Sequence, residues 1–393
     1  MTLREAAPRF ESLPAAQYYF GMGISGFVTV LLGPVLPVLS AQWRLTDVQG
    51  GWLFAAQFSS STIGAAFSSH FPGKSVVWGY ACVCAGVAML LAGDYAAALA
   101  GFGLIGLGTG LAVTATNLIF GTEYPEQRGV LLTRVNLSWG IGAVLAPELV
   151  ALAEKAHALR TLVLLLALTA ALSFALFAPL LRAGRISAKT ATSAADRDAG
   201  AGIRIFALFS VMLFLYVGTE TTIAGWIATY AHRLSGLSMV RASLLVSVFW
   251  VSLLAGRWLV AVLLRWFPEA GVLLGGLALA MGGVTMLLFP HAAWIVLPAV
   301  MAAGLGCAPI FPLLVSRMLA RTGRTRHAGW VFAICGLGGA VVPWITGLIS
   351  QHGGGLRAGF GAPLTALGGI LICALIEGSM GGAMKRPAAG FVE

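Results

Sequence analysis

Charge is what this chain has least of. Only 10% of its 393 residues are Asp, Glu, Lys or Arg, where a soluble domain carries roughly a quarter. That scarcity excludes a water-facing surface over most of the molecule, and with it a soluble enzyme. Cysteine is nearly as sparse. The five thiols (Cys82, Cys84, Cys307, Cys335 and Cys373) all fall inside apolar stretches, with neither the spacing of a metal site nor paired exposed positions, so they read as small apolar residues rather than ligands or cross-links. No metal or cofactor is expected. The net charge of +10 would suit nucleic acid if it were gathered on a polar surface, but the basic residues are scattered among short breaks, which excludes that partner. Long polar segments are missing too, with one exception at 182–204.

What fills the chain instead is apolar sequence: 59% of the residues, with a mean hydropathy of +0.90. A helix needs about 20 apolar residues to cross a bilayer. Runs of that length occur at 15–39, 48–70, 75–94, 96–120, 129–153, 159–181, 205–231, 240–264, 269–289, 292–316, 327–350 and 358–383. The chain is therefore read as an all-α polytopic membrane protein of twelve helices. The first run is longer than a signal-peptide core and lacks a small-residue cleavage site, so it is read as retained. With the amino terminus inside, 18 of the 24 Lys and Arg fall on the cytoplasmic side. By the positive-inside rule this puts both termini in the cytoplasm of a bacterial inner-membrane protein.

The polar exception divides the chain into 1–181, a cytoplasmic linker at 182–204, and 205–393. The halves carry matching glycine patterns. Gly140-Ile-Gly-Ala-Val-Leu-Ala-Pro147 in the fifth span returns as Gly336-Leu-Gly-Gly-Ala-Val-Val-Pro343 in the eleventh, and Gly106-Leu-Gly108 in the fourth returns as Gly304-Leu-Gly306 in the tenth. Two parallel six-helix repeats with glycine-rich fourth and fifth helices resemble the major facilitator superfamily, whose halves are such repeats. The glycines let backbones approach closely and the prolines weaken the helix ladder. Gly140, Pro147, Gly336 and Pro343 are accordingly expected at gating or packing positions.

Two strings are set aside. Gly101-Phe-Gly103-Leu-Ile-Gly106 satisfies a dinucleotide fingerprint but has no preceding strand, and the Asn136-Leu-Ser138 sequon lies within a span. Intramembrane polar groups are costly and are therefore functional candidates. Glu220 is the foremost, midway along the seventh span in a strip that includes Tyr216, Trp226 and Tyr230. A carboxylate accepts hydrogen bonds from neighbouring sugar hydroxyls while aromatic rings stack on a pyranose face. The same carboxylate could instead couple a proton, or brace a neighbouring helix. Asn117, Asn136 and Trp139 are within reach of the same cavity if their helices line it, and Gln57, Trp250 and Trp330 are weaker candidates. Arg134 is expected to pair with Glu123 or Glu126 at an inner gate. Glu148 and Glu377, nearer helix ends, read as gate or interface residues.

The set Tyr-Val-Gly-x-Glu220, Gly304-Leu-Gly-Cys-Ala-Pro-Ile-Phe-Pro312, Gly256-Arg257 and Arg134-x-Asn136 looks like the fucose permease or sugar-transporting branch of that superfamily. The resemblance implies monosaccharide transport by alternating access, often with a proton. It puts Asn117, Asn136 and Glu220 at the sugar site, Trp139 where the family tends to carry glutamine, and Arg257 among the gating residues. This chain departs from the pattern where coupling carboxylates would align, at Gly33 and Val113. The 64–74 loop has Ser69 or His70 in place of the usual aspartate. Uniport and proton symport thus both stay open, with Glu220 as the possible coupling group. The expected partners are a small solute, a bilayer and possibly a proton, for a monomeric chain. Efflux of an amphiphilic drug or lipid, or sugar sensing without transport, are the other readings.

Overall fold

The computed structural model describes residues 15–68, 70–123, 128–181, 199–289, 293–322 and 328–383. Among them there is no strand. The helices are α1 (Ala15–Val30), α2 (Leu32–Trp43), α3 (Asp47–Ser68), α4 (Pro72–Met89), α5 (Tyr95–Glu123), α6 (Arg128–Lys155), α7 (Leu159–Phe177), α8 (Ala199–Ser235), α9 (Met239–Leu263), α10 (Glu269–Leu288), α11 (Ala293–Cys307), α12 (Ile310–Thr322), α13 (Ala328–His352), α14 (Leu356–Gly359) and α15 (Gly361–Ala383). Residues 182–198 of the expected linker lie outside the described residues, and 199–204 already belong to α8.

Two expected spans are each broken in two. The first bends by 42° between α1 and α2, with Pro34 and Pro37 just beyond the break at Leu31; a proline ring cannot donate to the ladder and pushes on the preceding turn. The tenth breaks between α11 and α12 at Ala308-Pro309. Ten helical stretches among the described residues are long and apolar enough to cross a membrane, or eleven when the bent pair counts as one. The remaining long helix, α3, has the length, 22 residues, but falls short in apolarity because it carries Gln57 and the run Ser59-Ser60-Ser61-Thr62. The end of the bundle where α2 gives way to α3 is called distal below, and the opposite end proximal.

Packing follows the glycines. A Cβ on Gly142 of α6 would run into the Gly23 carbonyl of α1, and one on the matching Gly338 of α13 into the Phe214 carbonyl of α8. Gly106 sets α5 against the Gln57 carbonyl of α3 in the same way, and its counterpart Gly304 sets α11 against Phe249 of α9. Helix backbones meet this closely only where no side chain intervenes. The glycines two residues earlier do something different. Gly140 faces Leu254 of α9 and Gly336 faces Thr62 of α3, so both lie where the first six spans meet the last six.

That meeting has two main seams. Along α6 and α9, the Ser247 hydroxyl donates to the Val144 carbonyl at 3.1 Å, and Trp139 meets Trp250 edge-on with centroids 5.6 Å apart. Along α3 and α13, Trp52 packs on Trp344, and the distal end is fastened by polar groups. Asp47 takes the Arg233 guanidinium of α8 at 2.5 Å and the Ser350 hydroxyl of α13 at 2.5 Å, while the Val48 amide donates to Gln351.

Candidate binding cavity

Between the two seams lies a cavity of about 160 Å³. The first six spans contribute Thr29, Phe54, Phe58 and Trp139 to its wall, and the last six contribute Glu220 and Trp250. On α8 the wall positions 217, 220, 221 and 224 recur at helical spacing, so they share one face. The Trp250 indole nitrogen is buried without a hydrogen-bond partner, which leaves a donor available to a ligand. Among the described residues Glu220 forms no direct ion pair; Arg257 of α9 acts on it electrostatically from a distance. Tyr216, one turn earlier, places its hydroxyl beside the carboxylate without reaching hydrogen-bond geometry. Gly33, aligned with a coupling carboxylate in the resemblance above, is also on the wall.

Of the residues singled out in the sequence, Glu220, Trp139 and Trp250 come together here. Asn117 and Asn136 do meet, but each other: the Asn136 amide donates to the Asn117 oxygen at 3.1 Å and to the Leu132 carbonyl at 2.8 Å, nearer the proximal end and off the cavity wall. Gln57 is buried behind the wall, its amide bonded to the Val28 and Thr29 carbonyls at 3.3 and 3.1 Å. Trp226 is fully buried, gives its indole N–H to the Pro343 carbonyl at 3.0 Å and rests on Phe54. It ties α8 to α13 from behind. Tyr230 donates to the Leu287 carbonyl at 2.5 Å and packs on Phe360, within the last six spans. Tyr216 is buried against Phe311.

Arg134 and Arg257 are exposed. Glu126, and the side chains of Glu123 and Trp330, lie outside the described residues. Glu148 is exposed. Glu377 is buried between Arg317 and Arg321 of α12, where two cations compensate a carboxylate that could not otherwise be held away from water.

The cavity also includes residues that sequence reasoning passed over. Thr29 is a lone hydroxyl in an apolar run, and Phe54 and Phe58 look like lipid-facing aromatics until α3 is seen to have its back to α5. The distal fastening was missed because Asp47 and Arg233 stand 186 residues apart at two ordinary helix ends. Among the described residues no three His, Cys, Asp or Glu side chains gather as a metal site would need. One carboxylate, one unpaired indole donor, threonine hydroxyls and several aromatic faces give the cavity both polar and apolar sides.

The chain resembles several known proteins. Over 110 residues it is 34% identical to apicoplast pyruvate carrier 1 of Toxoplasma gondii, a match covering 26% of this chain and 20% of that relative, so the chain aligns with about a fifth of the relative's length. Its fold matches solved structures over nearly all of both chains. A peptide transporter POT in complex with sulfate superposes with a TM-score of 0.76 at 15% identity, covering 96% of each. A D-xylose-proton symporter gives 0.74 at 15%, covering 93% of this chain and 96% of that one. The transporter FucP in its outward conformation gives 0.59 at 18%, covering 92% and 98%. A family model described as Major Facilitator Superfamily matches residues 18–325. That match takes in both α1 and α12 and agrees with the fold, and the chain belongs to the Major Facilitator Superfamily.

Proposed function

We propose that the protein carries a monosaccharide across the membrane by alternating access, as a uniporter or as a proton symporter coupled through Glu220. One observation carries the reading: Glu220, Trp139 and Trp250 lie on one small cavity to which both sets of six spans contribute. A carboxylate accepts from sugar hydroxyls, the Trp250 N–H donates to a ring or hydroxyl oxygen, and aromatic faces cover the C–H side of a pyranose. Transporters of this fold are named for peptides as well as for xylose, so the cavity has to select the substrate class. A peptide would place two charged ends and an amide in a space with a single carboxylate at its wall.

In this reading the units 1–181 and 205–393 rock as bodies about the cavity, joined by the segment between them, in a monomer with cytoplasmic termini in a bacterial inner membrane. The distal end is then extracellular and is closed by Asp47, Arg233 and Ser350. Solute would enter from outside only after those bonds part. The pair is partly exposed, Arg233 at 35% and Asp47 at 13%, and exposed pairs contribute about 1 kcal/mol or less, so opening is within reach of a solute-driven change.

The test combines thermal-shift screening of the detergent-purified protein against hexoses, pentoses, deoxy sugars and amphiphilic drugs with flux into proteoliposomes. One sugar should raise the melting temperature selectively. Glu220→Gln should weaken its binding about ten- to a hundredfold, as removal of a charged hydrogen-bond partner does. Full binding and flux in that variant would remove Glu220 from the site. A shift with amphiphiles alone would replace the sugar reading with efflux, for which the apolar part of the wall (Val30, Val217, Ala224) would be the relevant surface.

A further inference from the structure

Helix α7 is the least covered of the spans: 22% of its most apolar stretch is buried, against 39% or more in every other such span. Two hollows flank it. A groove of about 700 Å³ runs between α1, α6 and α7, and a cleft of about 240 Å³ lies between α2 and the start of α7. Leu162 is on the wall of both. The groove is walled by side chains such as Phe20, Leu145 and Leu165, all exposed on the outer face of the bundle.

The distal ends of these hollows differ from their apolar walls. Arg160 borders the cleft together with Gln42 and Trp43, and the Trp43 indole nitrogen is buried without a hydrogen-bond partner. Lys155 is exposed at the end of α6, just before the turn into α7, with Glu154 beside it. The α6–α7 junction therefore carries Lys155 and Arg160 against Glu154, an excess of positive charge. The first turn of α7 also begins without a side-chain cap, which adds open backbone donors at the same level.

We infer that α7 is straddled by one anionic phospholipid of the leaflet at the distal end. Its phosphate is held by Arg160 and the Trp43 N–H, with Lys155 adding attraction. One acyl chain lies in the groove and the other in the cleft. Charge complementarity selects an acidic head group, because basic side chains at this depth attract anionic lipid. A phosphate oxygen also relieves the indole donor of being buried unpaired. Two hollows meeting at a single residue select a lipid with two chains over a single-chain acid. Leu31 forms part of the cleft wall and is the residue at which α1 gives way to α2, so the lipid bears on the bend whose neighbours Val30 and Gly33 line the central cavity.

Native mass spectrometry of the full chain in neutral detergent, with phosphatidylglycerol and phosphatidylcholine of matched chains, tests this. One phosphatidylglycerol should be retained at collision energies that strip phosphatidylcholine. Arg160→Gln should reduce that preference about fivefold. Leu165→Trp, at a lipid-exposed position, should reduce retention of either lipid by filling the groove. If Arg160→Gln melts at a lower temperature in detergent alone, Trp43→Phe replaces it and should also weaken phosphatidylglycerol. Equal retention of the two lipids by the unaltered protein, or undiminished preference in a variant that melts normally, overturns the assignment. Displacement of phosphatidylglycerol by equimolar oleate would leave the acidic head but overturn the two-chain ligand.

Discussion

The seams α3–α13 and α6–α9 are built on matching glycines of the sequence repeat, yet they are held in different ways. The α6–α9 seam is side-chain packing with one hydroxyl bond, from Ser247 to the Val144 carbonyl. The α3–α13 seam carries the Asp47, Arg233 and Ser350 bonds at its distal end. Packing resists separation over its whole length and tolerates small rolling movements, whereas an exposed ion pair is weak, local and easily hydrated. The contrast makes one seam a bearing and the other a fastening.

The largest expected effect lies outside both seams and sets the scale for them. Gly338→Val forces a side chain into the Phe214 carbonyl of α8, and overpacking of this kind costs about 1–3 kcal/mol or more. The folded fraction on size-exclusion chromatography should fall sharply. Gly140→Val meets only Leu254 methyls at 3.5 and 3.6 Å and should stay folded. If both variants behaved alike, the distinction between rigid packing within a set of six spans and yielding packing between sets would be lost.

Asp47→Asn should shift the balance towards distal opening by roughly fivefold, the equivalent of about 1 kcal/mol for a partly exposed pair. Labelling of a cysteine placed at Trp344 would read that shift. Arg233→Gln should produce the same change, with no further gain in the double variant because the two residues form one bond. The smallest effect belongs to Ser247→Ala, which removes one hydrogen bond worth about 0.5–1.5 kcal/mol. It should lower the melting temperature slightly and leave labelling at Trp344 unchanged. A labelling change there would mean that the α6–α9 seam also fastens.

The helices were legible because each crossing needs its own run of apolar residues, and the repeat was legible because glycine is the residue that close backbone contact requires. The breaks at Leu31 and Ala308 were not, since apolar sequence continues through them and only the nearby prolines hint at a bend. At the cavity, Glu220 stood out through its cost in an apolar helix. Trp226 and Tyr230 were grouped with it by composition, but their spacing turns them away from the face shared by 217, 220, 221 and 224. Asn117 and Asn136 were expected within reach of the cavity, yet Asn136 donates to Asn117 and each amide also bonds its own helix, off the wall. The Asp47 and Arg233 partnership had no local signal at all, because a charge at a helix end is ordinary until its partner is known.

The polar run in α3 has a consequence for how the chain is made. The Gln57 amide is held by the Val28 and Thr29 carbonyls of α1, made before α3, while the backbone of Gln57 and Ser61 packs against Gly106 and Gly110 of α5, made after α3 and α4. Insertion of a segment alone is governed by its own apolarity, and α3 has the least to offer. Its residence in the bilayer is therefore expected to start with α1 and to be completed by the close backbone packing of α5. Truncated nascent chains ending before Tyr95 should leave α3 more accessible to water than chains extended past Glu123.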